Sequence, residues 1–208
     1  MEVYTFATGT FAANCYVVTG GKKAAVIDPG DCSPALLSFI RDNGLHVMQI
    51  LLTHGHADHI TGAPQLRECT GAPISIHALD APCTDGPLSL AEECGYPPVH
   101  FQADRLLQGG DTISVGKETL TVLHTPGHTP GGVCFLHEND RLLFSGDTLF
   151  CLTAGRTDLP GGDSEALMQS LDRLRKLEGD YKVYPGHERT TSLDAERKRN
   201  FYMRRLGK

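Results

Sequence analysis

The chain has 208 residues, 40% of them hydrophobic, and carries a formal net charge of −6 at pH 7. This length and apolar content suffice for one sizeable core, so we predict a single domain over residues 1–208. The acidic balance argues against a general nucleic-acid binder, because such proteins need a dominant basic field to displace counterions from phosphates. No window approaches the roughly 18 apolar residues of a membrane span, so no membrane partner is expected.

The N-terminal residues and the cysteines indicate the cellular compartment. The stretch MEVYTFATGTFAANCYVV lacks both a basic leading segment and a long apolar stretch, which is typical of an unexported protein. The seven cysteines are scattered without a CxxC pair, a pattern that fits neither a disulfide framework nor a cysteine-rich zinc site. We therefore predict a cytoplasmic protein. Nothing in the sequence indicates an oligomeric state.

Short β-rich runs alternate with helical segments along the chain. The runs carry apolar residues bounded by Gly, Pro or Asp, and the helical segments begin at polar caps and end at Gly. In the first half, the predicted elements are the strands CYVV and AAVID, a helix from Ser33 to Gly44, the strand HVMQILL, a helix over ITGAPQLREC and the strand ISIH. In the second half they are a hairpin of ISVG and TLTVLHT, a hairpin over GVCFLHENDRLLFSGD, a helix over DSEALMQSLDRLRKLEG, the strand YKVYP and a last helix through DAERKRNFYMRR. Two rounds of strands closed by helices imply sheets packed face to face with helices outside.

One long stretch, from about Ala81 to Gly110, has weak periodicity and is rich in Pro and Gly. A loop of that length in a compact domain is often a lid or a binding loop. We expect this segment to border a functional site.

A dense group of potential metal ligands follows the strand HVMQILL. In THGHADH, His54 and His56 lie two residues apart, with Asp58 and His59 just beyond. Four ligand-type side chains can therefore converge from one short piece of backbone. A lone histidine is usually a surface or core residue, but this density is typical of a metal site.

Three further candidates follow predicted strands, and each is preceded by glycine. They are His128 in TPGH, Asp147 in SGD and His187 in YPGH. Five His and two Asp exceed what one tetrahedral ion uses, and a carboxylate can bridge two ions, so the pattern predicts a two-metal centre. Imidazole and carboxylate without thiolate suit zinc, iron or manganese, and we expect two zinc ions.

Together, THGHADH, TPGH, SGD and YPGH resemble the metallo-β-lactamase superfamily, and the match runs from DPG through the final GH. The resemblance implies the α/β class, as a four-layer αβ/βα sandwich with the metal site at one edge. It also implies the ligand sets, which are His54, His56 and His128 for the first metal, Asp58, His59 and His187 for the second, and Asp147 as the bridge.

Within that superfamily, GTFAANCYVV, TPGHTPGGVCF, GDTLF and GRTDLPGGD resemble the glyoxalase II group, especially its short bacterial members. This resemblance implies a metal-dependent hydrolase of small-molecule thioesters, with hydroxyacyl thioesters such as S-lactoylglutathione as the expected substrates. Classical members carry an added C-terminal helical region that holds glutathione, whereas one predicted helix follows His187 here.

The expected mechanism uses water activated by two metal ions, so no Ser or Cys nucleophile is needed. Asp58 would orient the attacking water as well as bind metal. Arg156 in GRTD lies one short loop after GDTLF, where it either anchors a substrate carboxylate or pairs with a structural Asp. Asn14 and Tyr96 are further candidates for substrate binding at the pocket mouth, although an aromatic in a turn often packs against its own loop.

An oxidoreductase of the same fold is the main alternative. THGHADHITG and GRTD also resemble the persulfide dioxygenases, which use one iron held by two His and one Asp. The corresponding triad here would be His54, His128 and Asp147, a donor set known for non-haem iron. A non-enzymatic binding protein has no support, because every expected ligand position is filled.

Overall fold

The computed structural model describes residues 1–206, which form two stacked six-stranded sheets with helices on both outer sides. The first sheet contains, in spatial order, β1 (Glu2–Thr8), β2 (Ala13–Gly20), β3 (Lys23–Ile27), β4 (His46–Leu51), β5 (Ile74–His77) and β6 (Arg105–Leu107). The second contains, in spatial order, β7 (Thr112–Val115), β8 (Glu118–His124), β9 (Val133–His137), β10 (Leu142–Gly146), β11 (Lys182–Pro185) and β12 (Thr191–Ser192). Both sheets are mixed, because β3 to β6 run parallel and so do β10 and β11, while the other pairs are antiparallel.

The helices divide between the two outer faces. The helices of the first half are α1 (Pro34–Asp42), α2 (Ala57–Ile60) and α3 (Ala63–Thr70), and those of the second half are α4 (Ser164–Arg175), α5 (Leu193–Arg199) and α6 (Phe201–Leu206). Among residues 1–206, no helix is long and apolar enough to cross a membrane.

Three apolar layers hold the sheets and helices together, and β2 shows how one strand supplies two of them. Cys15 and Val17 pack with α1 and α3, whereas Tyr16 and Val18 face the second sheet. This alternation follows from the two-residue period of a strand. A third layer joins the outer face of the second sheet to α4, α5 and α6. The result is the four-layer αβ/βα sandwich, so the predicted fold class is confirmed.

The last two predicted helices differ from the structure in their bounds. The helix expected through DAERKRNFYMRR is wrong as a single element, because Asn200 is extended, with ψ of 127°, and separates α5 from α6. The Asn200 side chain donates to the Thr153 carbonyl at 2.9 Å and accepts from the Tyr202 amide at 2.9 Å, so long-range bonding decides this break. The preceding helix, α4, ends at Arg175 rather than at Gly179.

The helix expected over ITGAPQLREC also begins later, at Ala63. Pro64 has no amide hydrogen for a bond to the preceding turn. Gly62 is packed so closely that a Cβ there would lie 2.5 Å from the Asp31 carbonyl carbon. The chain therefore forms the one-turn helix α2, which carries Asp58 and His59, before α3 begins.

Candidate metal centre

The seven candidate ligands follow the carboxyl ends of four strands. His54 lies just after β4, His128 after β8, Asp147 directly after β10, and His187 two residues after β11. The ends of neighbouring parallel strands meet at one edge of a sheet, where ligand sites are usual in α/β folds. Since β4 belongs to the first sheet and the other three strands to the second, the site joins the two sheets at this edge.

The first group of ligands consists of three buried histidines, His54, His56 and His128, whose donor atoms lie within 4.8 Å of one another. His128 Nε2 and His56 Nδ1 are 2.9 Å apart. His54 Nε2 is buried and has no hydrogen-bond partner among the residues that the structure describes. Lone pairs from three imidazoles thus face one small space, an arrangement that suits a cation.

The second group consists of Asp58, His59 and His187, whose donor atoms also lie within 4.8 Å. His187 Nε2 is 3.2 Å from His59 Nε2 and 3.2 Å from Asp58 Oδ2. His59 is fully buried, while the His187 side chain is 22% exposed. This group therefore opens towards solvent more than the first.

Asp147 lies between the two groups. Its Oδ2 atom is 3.5 Å from His128 Nε2 and 3.6 Å from His187 Nε2. Its Oδ1 atom is buried without a hydrogen-bond partner within residues 1–206. A buried polar atom without a partner is costly, and a cation bound at Oδ1 would remove that cost.

Hydrogen bonds behind the site fix the orientation of three imidazoles. The Nδ1 atoms of His54, His59 and His128 face Thr53 Oγ1 at 3.0 Å, Asp28 Oδ2 at 3.0 Å and the Arg156 carbonyl at 2.8 Å. Oxygen acceptors of this kind hold the proton on Nδ1, so in the neutral imidazole each Nε2 atom presents its lone pair to the site.

The sequence pattern does not indicate the roles of Asp28 and Thr53. Asp28 lies at the end of β3 with φ of +51°, and it accepts from the Thr53 amide at 2.7 Å and the Thr53 hydroxyl at 2.6 Å. The sequence feature that could have indicated Asp28 is its place in DPG at the end of β3. This strand pairs with β4, which leads to His54.

Burial and charge give the two groups different electrostatics. Burial, followed by the neighbouring imidazoles, lowers the pKa of His54 well below its usual range and lowers the pKa of His56 to about 4. Burial also opposes charge on His59, but Asp58, Asp147 and Asp28 outweigh it and raise the pKa of His59. His54 and His56 therefore offer neutral imidazoles, whereas the surrounding carboxylates stabilise the charged form of His59.

Two glycines beside the ligands permit close approach. Gly127 has φ of +137°, and a Cβ there would lie 2.3 Å from the Leu167 amide nitrogen at the start of α4. A Cβ at Gly186 would lie 2.1 Å from Asp147 Oδ1. A larger residue at either position would displace a ligand loop.

A cavity of about 460 Å³ opens directly over both groups. His56, Asp58, His128, Asp147 and His187 line it from the metal-ligand side. Its apolar wall includes Phe11, Leu90, Phe150 and Leu159, and its polar rim includes Arg156 and Glu188. Leu90 comes from the segment expected to border the site.

The three residues singled out for substrate binding have different positions. Arg156 lines the cavity, and its guanidinium pairs with both carboxylate oxygens of Asp158, at 2.7 and 2.6 Å. Asn14 donates to the carbonyls of Pro185 and Glu188, at 3.0 and 2.9 Å, and so supports the His187 loop from behind.

Tyr96 is not among the described residues that line the cavity. Its hydroxyl accepts from the Thr10 amide at 3.0 Å, and its ring lies 6.0 Å from that of Phe11. Tyr96 therefore holds the loop that carries Phe11 to the cavity wall.

Several known proteins are similar to this chain over most of its length. Residues 8–187 match the family model of the metallo-β-lactamase superfamily. The chain is 37% identical over 227 residues to an uncharacterized protein of Mycobacterium tuberculosis, covering 100% of both proteins. It is 33% identical over 208 residues to hydroxyacylglutathione hydrolase GloC of Haemophilus influenzae, covering 98% of each.

Solved structures show the same likeness. BLEG-1 B3 metallo-β-lactamase has a TM-score of 0.92 and 32% identity, covering 97% of this chain and 99% of that one. TTHA1623 in a di-iron-bound form has a TM-score of 0.87 and 37% identity, and the match covers 96% of this chain and 99% of that one. ETHE1 from Myxococcus xanthus has a TM-score of 0.81 and 28% identity, covering 97% and 84%.

The fold, the His and Asp clusters and these matches agree on a site for divalent metal ions in a superfamily that includes metal-dependent hydrolases. The chain belongs to the metallo-β-lactamase superfamily.

Proposed function

We propose that this chain is a two-metal hydrolase of thioesters and acts on hydroxyacyl thioesters such as S-lactoylglutathione. The observation that carries the proposal is the pair of ligand groups that share Asp147 beneath one cavity. The likeness to hydroxyacylglutathione hydrolases of Haemophilus influenzae and Bdellovibrio bacteriovorus supports the substrate class, at 33% and 35% identity.

The proposed ligand sets are those that the family resemblance implies. His54, His56 and His128 would hold the first metal, Asp58, His59 and His187 the second, and Asp147 would bridge them. The buried, unpartnered atoms His54 Nε2 and Asp147 Oδ1 fit this assignment. Zinc is the first expectation for imidazole and carboxylate donors, and iron and manganese suit the same donors.

When bound, two divalent ions would acidify water and stabilise negative charge on a carbonyl oxygen. The Asp58 carboxylate faces the cavity with 13% of its side chain exposed. Burial opposes its ionisation, but His59 and His187 lower the pKa of Asp58, so it stays a hydrogen-bond acceptor. Asp58 would thus orient the attacking water, and the apolar wall would keep other water away from the acyl group.

Arg156 is the proposed contact for an anionic part of the thiol carrier. Its guanidinium has five donors, and Asp158 accepts from two of its nitrogens. The pair is exposed, so it contributes little by itself, and a substrate carboxylate can share the remaining donors. Asn14 and Tyr96 would act indirectly, by supporting the walls of the cavity.

The proposal also includes a cytoplasmic location and a small-molecule thioester as the partner. All seven cysteines are free thiols, which suits a reducing compartment.

Release of free thiol tests the proposed reaction. Protein loaded with zinc, iron or manganese is mixed with hydroxyacyl thioesters of glutathione, of coenzyme A and of a simple thiol, and the thiol is measured with a chromogenic reagent. We expect release that stops after chelation and returns with added metal. No metal-dependent release from any of these thioesters would overturn the assignment.

The likeness to ETHE1 supports one second candidate, the persulfide dioxygenase indicated by THGHADHITG and GRTD. In that case His54, His128 and Asp147 would hold a single iron. Oxygen uptake with glutathione persulfide, without hydrolysis of thioesters, would establish this activity in place of the first.

A further inference from the structure

Asp80 is a fully buried carboxylate between two loops that carry candidate ligands. Its Oδ2 atom accepts from the Gly55 amide at 3.1 Å and from the Thr129 hydroxyl at 2.7 Å. Its Oδ1 atom accepts from the Gly131 amide at 2.6 Å. Gly55 separates His54 from His56 in the sequence, and Thr129 directly follows His128.

The position of Asp80 in the chain does not explain this burial. Asp80 precedes the 3₁₀ turn Ala81–Thr84, yet its side chain makes no hydrogen bond to that turn. An Asp before a helical turn usually caps it, whereas here all three accepted bonds come from the two ligand loops. Burying a carboxylate away from water is costly unless its hydrogen bonds are satisfied.

The two loops are also packed tightly around Asp80 and the turn that follows it. A Cβ at Gly131 would lie 2.5 Å from the Asp80 amide nitrogen, and a Cβ at Gly55 would lie 2.3 Å from the Cys83 Cβ atom. Both approaches involve atoms close to the backbone, so each loop packs directly against this turn. The Asp80 carboxylate accepts hydrogen bonds from both loops at once.

We propose that Asp80 is a positioning residue for the first metal, because it fixes the loop of His54 and His56 relative to the loop of His128. This role rests on the metal ligands assigned under the proposed function. Residues that support metal ligands typically change metal affinity by 10- to 100-fold when they are replaced. We expect an effect of about that size at the first group of ligands and little effect at the second.

Asp80→Asn is the sharpest substitution, because it keeps the size and removes the charge. Gly55, Thr129 and Gly131 each donate a hydrogen bond to the Asp80 carboxylate. The amide nitrogen of Asn would place a donor against the backbone N–H of Gly55 or Gly131, and neither can reverse its role. At least one accepted bond is lost in either orientation of the side chain.

Two substitutions at Thr129 test the same contact without changing Asp80. Thr129→Val keeps the shape and removes the hydroxyl that donates to Asp80, whereas Thr129→Ser keeps the hydroxyl. If Asp80→Asn does not fold, this pair decides the question. We expect weaker metal binding with valine and near wild-type binding with serine.

Glu196→Gln is the matched control for losing a buried carboxylate. Glu196 is fully buried and accepts from the Leu152 amide, Asn200 Nδ2 and the Thr191 hydroxyl, at 2.8, 2.9 and 2.7 Å. None of these partners belongs to the loop of His54 and His56 or to the loop of His128. Its replacement should lower the thermal unfolding temperature without weakening metal binding.

The measurement is Zn²⁺ affinity by competition with a chromophoric chelator, at a temperature where every variant is folded, together with the visible absorption spectrum of the Co²⁺ forms. The expected result is a weakening of about 10- to 100-fold in one binding step for Asp80→Asn, with an altered Co²⁺ spectrum. A merely structural residue would lower the unfolding temperature and leave both readouts unchanged.

A Zn²⁺ affinity in Asp80→Asn equal to that of the wild type would overturn this inference without contradicting the proposed function. If Asp80→Asn does not fold, the same result in Thr129→Val would have that meaning. Equal weakening in Glu196→Gln would also overturn it, because the effect would then follow general destabilisation. Wild-type protein that takes up no metal would instead refute the proposed function, and the role of Asp80 with it.

Discussion

His187 and His54 occupy contrasting places among the candidate ligands. His187 is part of the group that opens to the cavity, and its Nε2 atom lies close to the Asp58 and Asp147 carboxylates. His54 lies deep in the first group, where its Nδ1 atom contacts Thr53 Oγ1 and its Nε2 atom has no hydrogen-bond partner among residues 1–206. Replacement of each therefore tests a different metal, and the two-metal and one-metal mechanisms predict different outcomes.

We predict that His187→Ala retains one metal ion and loses about 100-fold in thioester hydrolysis, on the order of 3 kcal/mol of transition-state stabilisation. Elemental analysis and thiol release measure the two effects. In a one-iron dioxygenase, the same change would spare iron binding and most oxygen uptake. His54→Ala is the control, because both mechanisms need it. Full hydrolysis by His187→Ala with a single ion would refute the two-metal mechanism.

Arg156 gives a second prediction at this scale. Arg156→Ala should raise KM about tenfold for a glutathione thioester, because a hydrogen bond to a charged group contributes about 1.5–3 kcal/mol when the partner is well placed. KM for a thioester of a neutral thiol should change little. Asp158→Asn is the matched control, since it frees the guanidinium and should not weaken binding of the glutathione thioester. An equal rise in KM for both thioesters in Arg156→Ala would rule out a contact between Arg156 and a substrate carboxylate.

At the scale of elements, α5 supports one wall of the cavity. Glu196 on this helix accepts from the Leu152 amide, and Asn200 at its end donates to the Thr153 carbonyl. Both contacts hold the loop that places Phe150 and Thr153 in the cavity. Helix α5 thus supports the substrate side of the site without contributing a candidate metal ligand.

We predict that Glu196→Gln raises KM for thioesters and lowers the free energy of unfolding by about 1–3 kcal/mol, because a donor replaces one buried acceptor. The metal content should stay at the wild-type value. Steady-state kinetics, denaturant unfolding and elemental analysis measure the three quantities. A fall in metal content with an unchanged KM would contradict the conclusion that Glu196 supports the cavity wall and not the metal site.

Elements defined by local pattern could be predicted from the sequence, whereas those that depend on distant contacts could not. The cap and proline at Ser33 and Pro34 predict α1, and Ser33 accepts from the Leu36 amide at 3.3 Å. The edge strand β1 has no such signal, because most of its residues are exposed and pairing with β2 defines it. The break at Asn200 likewise depends on Thr153, 47 residues away.

Some residues of the candidate site could likewise be predicted from local sequence, and others could not. His54, His56, Asp58 and His59 stand out because they are dense in the sequence, and the structure brings them together with His128, Asp147 and His187. Asp28 and Asp80 do not stand out, because their partners lie 25 to 51 residues away. Asp28 has a partial signal in DPG, whereas Asp80 lies in no motif, and a carboxylate that accepts from distant backbone amides is identified only from the structure.

At the scale of the whole molecule, the metal site and the apolar core are separate. Most members of the three apolar layers come from the strands and helices, whereas His54, His128, Asp147 and His187 lie in loops that follow strands. The site nevertheless joins loops from both sheets at one edge. Metal ions at this place would therefore act as a cross-link between two sheets that already pack through their own apolar surfaces.

We predict that chelation lowers the thermal unfolding temperature without unfolding the protein. Free metal at about 1,000 times its Kd stabilises the folded state by about 4 kcal/mol. For a chain of this size, that corresponds to a shift of roughly 8–16 °C. Scanning calorimetry measures the shift, and far-ultraviolet circular dichroism should stay unchanged on chelation because the apolar layers remain packed. Loss of the β-sheet signal at 25 °C after chelation would show that the fold requires bound metal. An unfolding temperature that does not change on chelation would show that bound metal does not stabilise the folded state.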